Sequence, residues 1–275
     1  MPQDIVQDGV ETYFNAFHGQ PYALFIRTAD IQPLSPVILN PMLALSIRCS
    51  SHPFWSNESI LQSTIGSLSE RSWQDLLRHY GEGATDLEYL QAICLLAQVD
   101  FSGQNLMPSI ARTTADLLYA DGRVRRAQTQ ISLGIRITQS LGYLKSSDLG
   151  EEYRRCVWTF FMLDRTFSVS RTITPALHYN QFQLPLPTSD EGFLGSQQPR
   201  GSGLGGRPES ESLDSDIGIN AINVKVFSIW NDVLQYVFRS PPKSNSPPWQ
   251  ADSDLADIES QFTDFEPGKT RNPQN

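Results

Sequence analysis

The sequence predicts an all-α protein, an irregular multi-helix bundle with a Gly/Ser/Pro-rich loop near residues 188–217. Three observations carry this. Apolar residues recur at helical spacing in segment after segment, no useful stretch alternates apolar and polar residues, and glycines and prolines stand where helices of ordinary length should stop.

Val6, Val10, Tyr13, Phe14 and Phe17 mark a first helix over about 4–18, ending before Pro21. A second begins with Ser35 as N-cap and Pro36 at the first helical position, then runs from Val37 through Ile47. Pro41 inside it removes one backbone hydrogen bond, so a kink or a one-turn irregularity is expected near Ser35–Pro41. Trp73, Leu76, Leu77 and Tyr80 give a core-facing helix ending at Gly81, and Leu87, Leu90, Ile93, Cys94 and Ala97 give the next. Val124, Ala127, Ile131, Gly134, Ile135, Thr138 and Leu141 form a long helix with Gly142 as its left-handed cap. Glu151 and Glu152 occupy a first turn, where the helix dipole favours acids, ahead of Val157, Phe160, Phe161 and Asp164.

The loop reads as a flexible linker from its composition. Beyond it, Ile219, Ile222, Val226, Ile229, Val233 and Tyr236 recur with coiled-coil spacing in a helix over about 218–239, closed by Pro241-Pro242. The seam covers fewer than three heptads, which favours packing within the bundle over a dimer zipper. A last helix over about 252–266 carries Asp252 and Asp254 at its start and Leu255, Ile258, Phe262 and Phe265 along it.

The chain has 275 residues, enough for one large domain without disulfide support; it is read as a single domain with a helical core over about 4–187. Net charge is −9, and residues 186–266 hold 13 acids against 5 bases. That balance offers little of the clustered positive potential that phosphate binding needs. Arg123, Arg125 and Arg126, read as lying at a helix start, form a local exception better suited to a solvated face than to a phosphate cradle. Cys49, Cys94 and Cys156 are too dispersed for a zinc site or disulfide framework and are expected to be buried free thiols. The N-terminus carries acids where a targeting segment needs bases, and no apolar run approaches the roughly 18 residues of a membrane span. A soluble protein that starts inside a cell is expected.

Chemical motifs are absent or incomplete. Gly201 to Gly206 fit GxGxxG but sit between prolines, without the strand and helix that a dinucleotide site requires. Gly268-Lys269-Thr270 lacks the first glycine of a P-loop, where Thr263 stands. Asn231-Asp232 begins the metal triad of helical terpene cyclases, but Gln235 and Arg239 occupy the later ligand positions and no DDxxD accompanies it. His18, His52, His79 and His178 stand singly, and no GxSxG provides a nucleophile. No catalytic, cofactor-binding or metal-binding residue is assigned.

The most specific signal is the stretch from Glu151 to Ser168, EEYRRCVWTFFMLDRTFS, in which Glu152, Arg154, Arg155, Trp158, Phe161, Asp164, Arg165 and Ser168 set a pattern. It resembles the signature of the fungal-specific transcription factor domain, the middle homology region of fungal binuclear zinc cluster regulators. Tyr13-Phe14 with His18 and Pro21, Leu90-Gln91-Ala92, Gly134 to Ile137 with Leu141-Gly142, Leu184 to Pro187, and Pro247-Pro248-Trp249 follow in the family's order. The resemblance covers most of residues 13–187 and 219–266. It implies an all-helical, nuclear regulatory domain that acts in control of transcription rather than in catalysis. The partners it implies are a zinc-cluster regulator or other transcription proteins, met through the 219–237 seam, or a small effector held among the helices. A truncated product without independent activity and an unrecognised helical enzyme are the alternatives.

Three departures from the family accompany the resemblance. The six-cysteine zinc cluster is absent from this chain, which argues against a metal cofactor and against direct DNA binding by these residues. Thr172-Ile173-Thr174 replaces the usual Gly-Arg-Pro after the Asp-Arg helix. Residues of about 103–120 interrupt the family pattern and 267–275 end inside it, as translated introns would; an inserted helix containing Ile110, Leu117 and Leu118 is the alternative for the first.

Overall fold

In a computed structural model of the chain, the described residues are 1–19, 21–27, 34–102, 114–168, 175–190, 218–238 and 246–265, with side chains of 114–122, 238, 264 and 265 set apart. Eight α-helices run through them: α1 (Gln3–Ala16), α2 (Pro36–Ser46), α3 (Glu58–Gly81), α4 (Leu87–Ser102), α5 (Thr114–Ser140), α6 (Glu151–Phe167), α7 (Ile219–Phe238) and α8 (Asp254–Phe265). No strand occurs among the described residues, and the architecture is all-α.

The fold is organised on α4. Its residues from Tyr89 to Ala97, with Val99 and Asp100, are buried, as suits a helix apolar on nearly every side. It packs against α2, α3, α5 and α6. Asp86 caps it, its Oδ1 accepting the Tyr89 N–H at 2.9 Å, and Asn57 Oδ1 caps α3 by accepting the N–H groups of Ser59 and Ile60. α5 stops at Gly142, whose φ of 72° is the left-handed conformation that the sequence assigns to it. On the α5–α6 contact, Gly134 is needed because a Cβ there would stand 2.1 Å from Phe160 Cε1.

Several expectations are corrected. Pro41 stays inside a continuous α2, and Ser35 donates to Glu88 Oε2 instead of capping with its side chain. Leu77, Tyr80 and Leu141 are exposed; Tyr80 stands in the last turn of α3 and Leu141 just beyond the end of α5, where packing runs out. Cys49 is exposed in the turn after α2, whereas Cys94 and Cys156 are buried. Burial, and then Cys156 beside it, pushes the Cys94 thiol well up.

The arginine trio lies inside α5, which begins at Thr114 rather than near Arg123. Arg126 reaches the fully buried Asp100 with both Nε, at 2.7 Å, and Nη2, at 2.6 Å, and Ser69 and Gln130 complete the set around that carboxylate. Arg126 is thus tied into the core, while Arg125 is exposed as a solvated face requires. The 219–236 seam is corrected too: α7 buries Asn220, Ala221, Val224, Ile229 and Leu234, so of the six seam positions only Ile229 is fully inside. Residues 103–113 and 172–174, Gly201–Gly206 and 267–275 lie outside the described residues; 114–120 continue α5 as helix.

Candidate functional site

The signature residues gather along α6, where they hold one segment of chain, residues 175–190, antiparallel to the helix. At its N-terminal end the buried Arg155 guanidinium donates from Nε to Glu151 Oε1 at 2.9 Å, from Nη1 to Phe25 O at 2.6 Å and to Asp190 Oδ1, and from Nη2 to Thr188 O at 2.9 Å. Glu151 Oε1 also accepts the Thr188 N–H at 2.8 Å, and its Oε2 accepts from Arg154 Nη1 at 2.9 Å. Thr188 is thus bound by both its N–H and its C=O. Glu152, the signature acid, is half-buried on the next position of the turn.

In the middle, Trp158 donates from Nε1 to Pro185 O at 2.8 Å and stacks on Phe182 with centroids 4.3 Å apart. Phe161 meets Phe182 edge-on at 5.3 Å. At the C-terminal end Asp164 Oδ2 accepts the Leu177 N–H at 2.9 Å while Arg165 Nη2 donates to Leu177 O at 2.9 Å. The Arg165 guanidinium lies 3.3 Å above the Phe161 ring. Ser168 donates to Asp164 O at 2.6 Å and finishes the helix. The order along α6, from Arg165 to Trp158 to Arg155, meets 177, 185 and 188–190 in turn.

The electrostatics differ at the two ends. Burial pushes the Asp164 carboxyl above the usual carboxylate range, and the N–H groups of Leu177 and Ala176 with Arg165 only partly offset it. Burial likewise lowers Arg165, to about 10, against the pull of Asp164 and Asp232. At the other end burial raises Asp190, but hydrogen bonds from His18 and Arg155 outweigh it and hold the carboxyl at about 2. His18 Nε2 donates to Asp190 Oδ2 at 3.1 Å.

Glu151, His18, Thr188 and Asp190 are missing from the signature set read off the sequence. Thr188 and Asp190 fall at the front of a stretch whose composition marks a linker, and composition cannot report that its first residues are pinned to a buried arginine. Both ends of that stretch meet: Asn220 Nδ2 donates to Thr188 O at 2.9 Å, and a Cβ on Gly218 would stand 2.9 Å from Ser189 N. Chemically, these groups hold backbone and rings. Among the described residues no cluster of three or more His, Cys, Asp or Glu is arranged to hold a metal.

The family described as the fungal specific transcription factor domain matches residues 10–266. The chain belongs to that family. A fungal specific transcription factor domain is a module of transcription regulators rather than of an enzyme family. An uncharacterised transcriptional regulatory protein of Schizosaccharomyces pombe is 22% identical over 289 residues, which cover 96% of this chain and 33% of that protein. A Zn(2)-C6 fungal-type transcription factor of Fusarium oxysporum f. sp. lycopersici is 22% identical over 260 residues, covering 86% of this chain and 26% of that protein. The chain therefore spans about a third or less of the curated relatives it matches. No solved structure matches it. No helix among the described residues is long and apolar enough to cross a membrane.

Proposed function

We propose that these 275 residues act in the nucleus as a regulatory domain that controls transcription through protein contacts, without catalysis, without a metal and without reading DNA themselves. The observation that supports this reading most is that Arg155, Trp158, Asp164 and Arg165 are engaged in holding the chain's own 175–190 segment by its backbone and rings. Such residues shape a domain. The overall acidity fits protein contacts better than phosphate contacts. Tethering the chain to an unrelated DNA-binding module upstream of a reporter tests it: a severalfold change in transcript is expected, and an unchanged reporter with a folded, nuclear fusion overturns it. Gel shift tests the DNA clause separately; tight, salt-sensitive binding of the isolated chain to duplex DNA would sink that clause.

A second reading, binding of a small effector between α6 and α7, draws on Arg165 Nε and Asn231 Oδ1, buried polar atoms without hydrogen-bond partners on two helices that pack together. Thermal shift across a metabolite panel tests it. A rise in melting temperature with one compound, lost in Asn231→Leu, supports it; a flat panel counts against it.

A further inference from the structure

We propose that the outward face of α7 seats a partner helix that presents apolar residues at coiled-coil spacing and lysine or arginine along one edge. This rests on the regulatory reading above and names the surface through which it operates. Only two charged residues, Lys225 and Asp232, occur from Ile219 to Phe238, and its large apolar residues gather in one broad stripe, the kind of face an amphipathic helix buries against a neighbour. The inner side is covered, with Asn220, Ala221 and Val224 buried toward α6 and its neighbours. The outer side is open: Ile219 is 57% exposed, Val226 39%, Trp230 44% and Val237 58%.

Those four positions are separated by 7, 4 and 7 residues, so they fall on one line about 27 Å long at roughly 1.5 Å per residue. Scattered exposed apolar side chains are ordinary, whereas an aligned row is the footprint of an interface. Its surroundings choose the occupant. α8 packs against α7, and the residues from Ser246 to Phe265 include five acids and no base. Asp257 and Glu259 are exposed on either side of the buried Ile258, so the helix that packs against α7 presents acids to solvent. A second copy would bring the same acidic helix and a further net charge of −9, like charge against like. A basic-edged helix gains from the same arrangement.

Binding of two labelled 21-residue helical peptides to the full chain, followed by fluorescence anisotropy, tests this. Both carry leucine at the a and d positions; one has lysine along an edge and the other glutamate. The lysine peptide should bind at least tenfold more tightly, lose affinity with added salt, and weaken at least tenfold on the chain with Val226→Ser and Trp230→Ser, whose melting temperature should match the parent. In Asp257→Lys with Glu259→Lys the preference should fall or invert. Equal binding of both peptides, or binding indifferent to Val226→Ser with Trp230→Ser, overturns the proposal, as does self-association abolished by those same substitutions. The tethered reporter separates the two levels: regulation that persists unchanged with Val226→Ser and Trp230→Ser refutes the surface and leaves the regulatory reading standing, whereas loss of regulation in the parent fusion refutes the reading itself.

Discussion

α6 and α7 are neighbouring helices of similar length that pack on one another, yet they are finished differently. α6 carries acids, arginines and aromatic rings, and the 175–190 segment lies over it so that Arg155, Trp158 and Arg165 are all buried. α7 carries almost no charge and buries Asn220, Ala221, Val224, Ile229 and Leu234, while the row from Ile219 to Val237 stays open. The difference teaches that an apolar stripe is closed only where another segment lies over it. The chain supplies such a layer to α6 from the segment that follows it and leaves the α7 row without one among the described residues.

The largest effects should come from breaking the α6 arrangement. Trp158→Ala removes a buried ring that stacks on Phe182 and holds Pro185, and should cost about 3–5 kcal/mol. Arg155→Ala leaves Glu151 and Asp190 without their shared cation and should cost a similar amount, about 3–5 kcal/mol for a broken buried ion pair. Denaturant unfolding measures both, and losses below 1 kcal/mol would show that the segment is held some other way. Gly134→Ala comes next. It forces a methyl group into the Phe160 ring and should cost about 1–3 kcal/mol as overpacking.

How much of this was legible in the sequence depends on the period of each part. α6 declares itself by its first-turn acids, its apolar stripe and a signature dense in charged and aromatic residues, so its start falls where the pattern puts it. α7 shows the limit: periodicity reports that a helix has an apolar line, and two lines on one helix leave open which one the core takes. Residues 219, 222, 226, 229, 233 and 236 make the more regular line, while the core takes the side of Asn220, Val224 and Leu234, because Asn220 can donate to Thr188 O and hold the helix start against α6's segment. Long-range partners such as His18 with Asp190, or Arg126 with Asp100, have no local period and could not be read from spacing.

Replacing residues 192–216 by a short Gly-Ser linker should leave the fold intact, since Ser189 and Gly218 already touch and Asn220 already holds Thr188. Shortening such a closure by about fourfold should add about 1 kcal/mol of stability by loop-closure entropy. A fall in melting temperature instead would mean that the excised residues make stabilising contacts.

Acid titration probes the two ends of α6 with opposite signs. Asp190 has its carboxyl held at about 2 in the fold, below its ordinary value of 3.8, so its stabilisation is present above about pH 4 and drains away as pH falls toward 2. Asp164 is raised, so its ionisation opposes folding and its protonation relieves the fold. Melting temperature followed from pH 5 downward should therefore fall less steeply in Asp190→Asn than in the parent, and more steeply in Asp164→Asn. Parallel curves for the parent and Asp190→Asn would break the assignment of Asp190 as a bound carboxylate.

The smallest effect should come from the matched tryptophan on α7. Trp230→Ala removes a ring of the same size as Trp158, but 44% of that residue already faces solvent and no hydrogen bond or stacked partner is lost. Substitutions at such positions usually change stability by no more than about 0.5 kcal/mol. The pair Trp158→Ala and Trp230→Ala should then differ by about 2.5 kcal/mol or more in unfolding free energy on the bounds already used for each. The comparison holds residue type and helix length nearly constant and varies only whether a second layer covers the ring. If Trp230→Ala costs as much as Trp158→Ala, the outer side of α7 is covered within the chain itself, and the contrast between the two helices disappears.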